Sequence, residues 1–556
     1  MSDINKSLSS NSKSKSTHLF VLIHGLWGTS SHMATIEKFI KENLPSSTDD
    51  KIATIKPACF RFWKTYDGLE LNAKKIIADI FYEIESLKQN NDLEVTKISI
   101  IGYSLGGLIS RYVIGLLNEL DFFEKIEPIF FSTFATPHVG IQFFNDNIFD
   151  AVANRLGPYL FGKSGGQLFI ADHDKILVKM ADPQEKYMRG LKKFQKHILL
   201  ANIKNDRTVA FFTSFITDVS PFEELDNIKI VYLDNLPQAK IANKLVRPKF
   251  VDLTKSHRLS LKDKKIFLGN QQEETPFIRK NRWAKILVIA LLACLVVPFW
   301  VPFVLISSTT VSIYSFIKIK FVKGPLSPQH WSRVKKFVYG NAPIDPDDAK
   351  VGNVQRLKRR TLDRHESFKG DTSYLTEDTM DRVLYAEERY LNKSRKAGSI
   401  KNEDDEDALV AENTDYSTDS DGVDESSEAD TLKSNTKSIE MDIEQNDKVI
   451  SESIETLKSY ESFPLFQDHK YKLPLNEDKS FIVKNLNTLD WIKIPVFLDV
   501  WNAHDGIVSR RGAKTNPKGA STIGLWVSIL RNHLQENGRA DASVNGNQES
   551  TIAHTS

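Results

Sequence analysis

Ser104 stands in Gly102-Tyr103-Ser104-Leu105-Gly106-Gly107. A serine held between glycines at this spacing can act as a nucleophile if a histidine base and a carboxylate reach it. The five-residue pattern alone says little, because Gly and Ser are common; its setting says more. It follows the apolar run Lys97-Ile98-Ser99-Ile100-Ile101 and precedes the helical pattern Leu108 to Leu117, and so reads as strand, tight turn, helix. Such a turn lifts the hydroxyl above the sheet edge. It also aims the Leu105 N–H and the helix N-terminus at an oxyanion forming beside Ser104. The plain alternative is a glycine-rich turn with an incidental serine.

The partners are sought at other strand ends. The run His18 to Ile23 ends in His24-Gly25-Leu26-Trp27-Gly28, where the Leu26 backbone is the expected second oxyanion donor. The run His197 to Ile203 leads into Lys204-Asn205-Asp206-Arg207-Thr208-Val209. Asp206 is the candidate orienting acid, with an ordinary Asx-turn as the alternative. The run Asp490 to Trp501 leads into Asn502-Ala503-His504-Asp505-Gly506, and His504 is the candidate base. His138 lies one strand after the nucleophile and suits loop shaping. His257, His330 and His365 have no strand-end setting. The chain order Ser104, Asp206, His504 is the order used by hydrolases with an elbow serine.

The elements that must position these groups alternate. A strand over His18–Ile23, a helix near Ser31 to Asn43, a strand near Ala53 to Phe62, a helix near Leu69 to Gln89, the elbow strand, its helix and a strand from Pro128 predict a doubly wound, mostly parallel sheet. Residues 141–195 are rich in aromatic and apolar residues at helical spacing and predict a lid-like cap. Ser521 to Leu534 reads as an amphipathic helix closing the sheet.

The chain has 556 residues, with 74 Lys and Arg against 72 Asp and Glu. That balance, with no basic aromatic-interleaved module, argues against nucleic acid as a partner. Cys59 and Cys294 lie in apolar contexts without metal spacing, which suits a reducing compartment. The first 17 residues lack the apolar stretch of a secretory signal, so a cytosolic start is expected. From Ile286 to Ile317 there are 32 residues without Asp, Glu, Lys or Arg, with basic residues on both flanks, which meets the test for a membrane segment.

Because Ser104 and Asp206 precede that segment and His504 follows it, a single crossing would part the base from its partners. The expectation is therefore a hairpin broken at Pro298 and Pro302. Asn402 to Asp430 holds 13 acidic and no basic residues and is expected to be disordered, as a solvated tether or a phosphorylation-regulated segment. The organisation expected is a disordered start over 1–17, a first core part over 18–265, and a membrane hairpin over 283–323. A basic and amphipathic linker over 324–400, an acidic insertion over 401–460, a last core part over 485–535 and a disordered tail over 536–556 follow.

Together these motifs, with Ala135-Thr136-Pro137-His138-Val139-Gly140, resemble the serine esterase family of fungal lipases, in particular its yeast-type lipid-droplet phospholipases. The resemblance covers roughly 18–215 and 485–535. It implies an α/β-hydrolase fold, lipase or phospholipase activity and association with lipid droplets, while the hairpin expectation adds the cytosolic face of the endoplasmic reticulum. Ser104 would be nucleophile, Asp206 acid and His504 base. The reaction needs no metal or organic cofactor. Hydrolysis, thioester cleavage and acyl transfer stay open, as does a silent membrane scaffold, because the elbow does not choose the second nucleophile.

Overall fold

The computed structural model describes residues 15–45, 50–144, 148–234, 236, 238–241, 244–260 and 462–552, with isolated positions between 306 and 317. Six strands build one sheet: β1 Lys15–Ile23, β2 Asp50–Ile55, β3 Leu93–Tyr103, β4 Glu127–Phe134, β5 Lys196–Asn202 and β6 Trp491–Val496. Their order is β6-β5-β4-β3-β1-β2, and every neighbouring pair is parallel.

Parallel strands covered on both faces read as continuous apolar runs. In β1 Leu19, Val21 and Ile23 enter one core while Phe20 and Leu22 enter the other, the two-residue alternation of a strand. Helices α1 Ala34–Asn43, α2 Leu69–Asn91, α3 Leu105–Glu119, α4 Ile148–Leu160, α5 Gly162–Leu168, α6 Glu477–Leu486, α7 Ala503–Gly506 and α8 Pro517–Ile552 accompany the sheet. The α2 and α3 side chains Ile76, Ile80, Leu108 and Val113 fill the first core; Ile36 and Phe39 of α1 and the fully buried Trp526 of α8 fill the second.

The chain goes from β1 outward to β2 and then returns to β3 on the other side of β1. The order therefore reverses between β1 and β3. Such a reversal opens a crevice at the carboxyl ends of the strands, where ligands of open α/β sheets bind. The parallel sheet, its two helical layers and the strand-turn-helix at Ser104 fit an α/β-hydrolase fold.

Several expectations need correcting. The second strand was expected over Ala53 to Phe62 but spans Asp50–Ile55; Pro57 has no N–H to give a ladder, and a 3₁₀ turn follows at Phe62–Asp67. The last strand is shorter than Asp490 to Trp501 and stops at Val496. The last core part starts before 485, because Phe463, Leu465, Phe466, Tyr471 and Ile482 are buried in the first core. The expected tail is helical backbone as far as Ile552; it continues α8 without a proline to stop it.

Half of the expected lid is core instead. Ile176, Leu177, Met180, Tyr187 and Met188 are buried there, and Tyr187 packs so tightly on Gly115 of α3 that a methyl group would not fit between them. The apolar segment 286–317 lies almost wholly outside the described residues, and the acidic tract 402–430 entirely so. Among the described residues no helix is long and apolar enough to cross a membrane.

Candidate active site

Ser104 joins β3 to α3 with φ 55° and ψ −129°, a conformation that costs an ordinary residue about 1–3 kcal/mol. The surroundings impose it. The Ser104 N–H donates to Phe134 O at 2.9 Å and the Gly107 N–H to Ser104 O at 3.1 Å. The glycines make the turn possible: a Cβ on Gly102 would lie 2.4 Å from Gly107 Cα, and one on Gly106 2.2 Å from Ile23 O. The elbow thus presses against the ends of both β1 and β4.

Three segments distant in sequence meet at this serine. Its Oγ lies 2.9 Å from Nε2 of His504, whose Nδ1 lies 3.0 Å from Oδ2 of Asp206. An ionised carboxylate can only accept, so Nδ1 carries the proton and the lone pair of Nε2 faces the serine O–H. Ser104 and His504 are each only 6% exposed. The second oxygen of Asp206 accepts from the N–H groups of Thr208 (3.0 Å) and Val209 (2.8 Å). The Asx-turn reading and the reading as partner of a histidine therefore both hold, one oxygen each.

Burial opposes charge at both residues, and the pairing outweighs it. Burial lowers the proton affinity of His504, but the charge and hydrogen bond of Asp206 leave its pKa above the ordinary imidazole value. Burial raises that of Asp206, but His504, the Val209 N–H and the Asn202 amide leave it below the ordinary carboxylate value.

Asparagines that the sequence reading passed over hold the base in place. Asn202, at the end of β5, donates to Asp206 Oδ2 (2.9 Å) and to Ala503 O (3.0 Å). Asn502 caps α7 by accepting from the His504 N–H at 3.2 Å, and Asn516 donates to Gly506 O at 2.9 Å. The Arg207 guanidinium lies 3.6 Å above the Trp501 ring, tying the acid loop to the base loop. An Asn directly before Ala503-His504 is a helix-start signal that could have found one of these.

The loop after β1 closes the other side. Gly25 abuts the serine, since a Cβ there would lie 2.6 Å from Ser104 Cβ. The Trp27 N–H donates to Thr65 Oγ1 at 3.0 Å and the Gly28 N–H to Gly25 O at 3.2 Å, so neither is available to an oxyanion. The N–H groups of Leu26 and Leu105, like that of Gly25, have no backbone acceptor among the described residues. His24 stacks on Phe60 at 4.0 Å, and burial pushes its pKa down to about 4. It is a neutral support for the loop.

His138 sits inside the fold with Nε2 2.9 Å from Thr133 Oγ1, and its carbonyl accepts from buried Arg111 at 3.2 Å. It shapes the loop after β4. His257 is exposed on a short strand, and His330 and His365 lie outside the described residues. Of the expected lid, α5 is joined to the oxyanion side, because Ser164 donates to Thr65 O at 2.6 Å and Gln167 accepts from the Leu69 N–H at 2.8 Å. On α4, Ile148, Val152, Leu156 and Tyr159 are exposed, Tyr159 at 75%. Their spacing makes one apolar stripe along the helix.

A parallel α/β sheet bearing an elbow serine hydrogen-bonded to a histidine and a carboxylate from later strand ends is the arrangement that serine hydrolases use. Residues 13–218 match the family model described as "Putative serine esterase (DUF676)". A lipase named as putative from Schizosaccharomyces pombe is 28% identical over 212 residues, covering 36% of this chain and 26% of the relative. ROG1 of Saccharomyces cerevisiae, also named a putative lipase, is 27% identical over 229 residues, covering 39% and 31%. The chain thus spans between a quarter and a third of the length of the curated relatives it matches. A solved carboxyl esterase from Tuber melanosporum aligns at 16% identity and a TM-score of 0.23, over 33% of this chain and 58% of that one; a superposition so distant carries no argument.

Proposed function

We propose that this protein is a serine hydrolase that cleaves carboxylic esters of glycerolipids, as a lipase or phospholipase. The observation that carries the reading is the unbroken hydrogen-bond chain from Asp206 through His504 to Ser104, drawn from three separate strand ends. In this mechanism His504 Nε2 takes the proton of Ser104 as its oxygen attacks the ester carbonyl. Asp206 holds the tautomer and stabilises the imidazolium. The oxyanion is held by the N–H groups of Leu26 and Leu105. His504 then gives the proton to the departing alcohol. Water, activated by the same nitrogen, releases the fatty acid from the acyl-enzyme.

Lipid is the substrate class favoured by the exposed apolar stripe of α4 and by the uncharged 286–317 segment. The names of the yeast relatives point the same way. In this reading the segment is a monotopic hairpin, each leg of about 18–22 Å being too short for a hydrocarbon core of about 30 Å. The protein then works from the cytosolic face of the endoplasmic reticulum or on the monolayer of lipid droplets. Protease-protection tags at Lys264 and Asn402 should both report the cytosol; opposite reports would refute the hairpin.

A fluorophosphonate probe tests the chemistry directly. It should label the protein, and the label should vanish in Ser104→Ala. Equal labelling of that variant would overturn the assignment. Product analysis on mixed phospholipid and triacylglycerol emulsions then sorts lipase from phospholipase.

A further inference from the structure

Next to the serine–histidine contact runs a second link between the same two segments. Tyr103, the last residue of β3, precedes Ser104; Asp505 follows His504 in α7. The buried Tyr103 hydroxyl donates to Asp505 Oδ1 at 3.2 Å, parallel to the link from Ser104 to His504. The Tyr103 ring is tilted against the His504 ring with centroids 5.1 Å apart. Arg510 closes the group: its Nη1 donates to the same Asp505 oxygen at 3.3 Å, and its N–H donates to the Asp505 carbonyl at 3.2 Å.

We infer that Tyr103, Asp505 and Arg510 form a positioning cluster that holds the His504 ring against the serine and balances the charge it meets. The inference rests on the hydrolase reading above.

The cluster brings opposed charges to bear on the imidazole. Asp206, on the loop after β5, and Asp505, on His504's own helix, favour the imidazolium, and Arg510 opposes it. From β3 comes only Tyr103, whose phenol burial, reinforced by the Asp505 charge, keeps protonated. It can therefore donate but brings no charge. His24 and His32 on the β1 side are buried and held neutral. Asp505 and Arg510 are thus the two groups whose removal should move His504 in opposite directions, while Tyr103 supplies the fixed contact.

The test is the acid limb of kcat/KM for the soluble ester p-nitrophenyl butyrate, measured on the full chain. Asp505→Asn should move that limb to lower pH and Arg510→Gln to higher pH, each by about half a unit at this partial exposure. The charge-keeping Asp505→Glu and Arg510→Lys should return it towards the wild-type position. The rate of fluorophosphonate labelling of Ser104 against pH should follow the same shifts. Tyr103→Phe, which removes one hydroxyl and keeps the ring, should lower kcat by about threefold to tenfold with KM unchanged; it serves if an Asp505 variant does not fold.

Shifts in the same direction, or no shift in folded variants, overturn the inference. Ser104→Ala separates the two failures. If that variant still hydrolyses the ester, the hydrolase reading falls. If it is inert while the limb stays fixed in the Asp505 and Arg510 variants, the cluster alone is wrong.

Discussion

The nucleophile and the base are held in place by different physics. Around Ser104 the restraint is steric: Gly25, Gly102 and Gly106 let three backbone segments come within contact distances that leave no room for a single extra carbon. Around His504 the restraint is polar, built from Asn202, Asn502 and Asn516 and from both oxygens of Asp206. One region is fixed by what cannot fit and the other by what must pair. Steric exclusion is nearly indifferent to pH, whereas a paired buried charge is not. Solution conditions should therefore act on the base far more than on the nucleophile.

The largest effect expected is on chemistry. Ser104→Ala should lower kcat by about 10⁶-fold, as for removal of a nucleophile acting in concert with its base, while its thermal unfolding stays close to wild type. Residual turnover within tenfold would end the assignment.

Asp206→Asn should cost about 10⁴-fold, because the amide can no longer fix the tautomer. Hydrolysis needs the neutral imidazole, so kcat/KM rises with pH through the pKa of His504, which lies above the ordinary imidazole value. Without the Asp206 charge that rise should move to lower pH. The stability of the pair has the reverse sense. The raised pKa of His504 contributes fully below the ordinary imidazole value and fades as pH rises through the folded one. The lowered pKa of Asp206 contributes above the ordinary carboxylate value and is lost as pH falls through the folded one. The pair is strongest where the base is charged and least able to act.

Gly106→Ala tests the steric side. Its Cβ would lie 2.2 Å from Ile23 O, a backbone atom that cannot turn away, and a loss of about 1–3 kcal/mol in urea unfolding is expected. Asn502→Ala tests the polar side by removing the cap of α7, with about 1 kcal/mol expected in the same assay. A larger loss for Asn502 than for Gly106 would reverse the ranking of the two restraints.

The same division separates what was readable in the sequence from what was not. Ser104, Asp206 and His504 each follow an apolar run directly, and local pattern suffices to place them at strand ends. The alternation of elements gave a doubly wound, mostly parallel sheet, but its strand order and the pairing of β5 with β6, which joins residues 294 apart as in Trp491 with His197, follow from no local pattern. The burial of Phe466 was missed for the same reason: its ring partners Phe211 and Phe215 lie more than 240 positions upstream. Nothing in the local pattern singles out Tyr103. Its role depends on Asp505, 402 residues away. The lid was overextended because an apolar helical stripe looks alike whether it covers a site or packs on α3.

The pairing of β5 with β6 also bears on how the molecule comes into being. A ribosome makes β1 to β5 in one stretch and then about 290 further residues before β6 begins at Trp491. Until β6 arrives, His197 to Asn202 is a sheet edge rich in Ile and Leu with nothing hydrogen-bonded alongside, the kind of edge that recruits foreign strands. The nascent chain also has a nucleophile and an acid but no base. Docking of one six-residue strand thus ends both conditions together, shielding the edge and delivering His504, so a half-made chain is sticky but chemically inert.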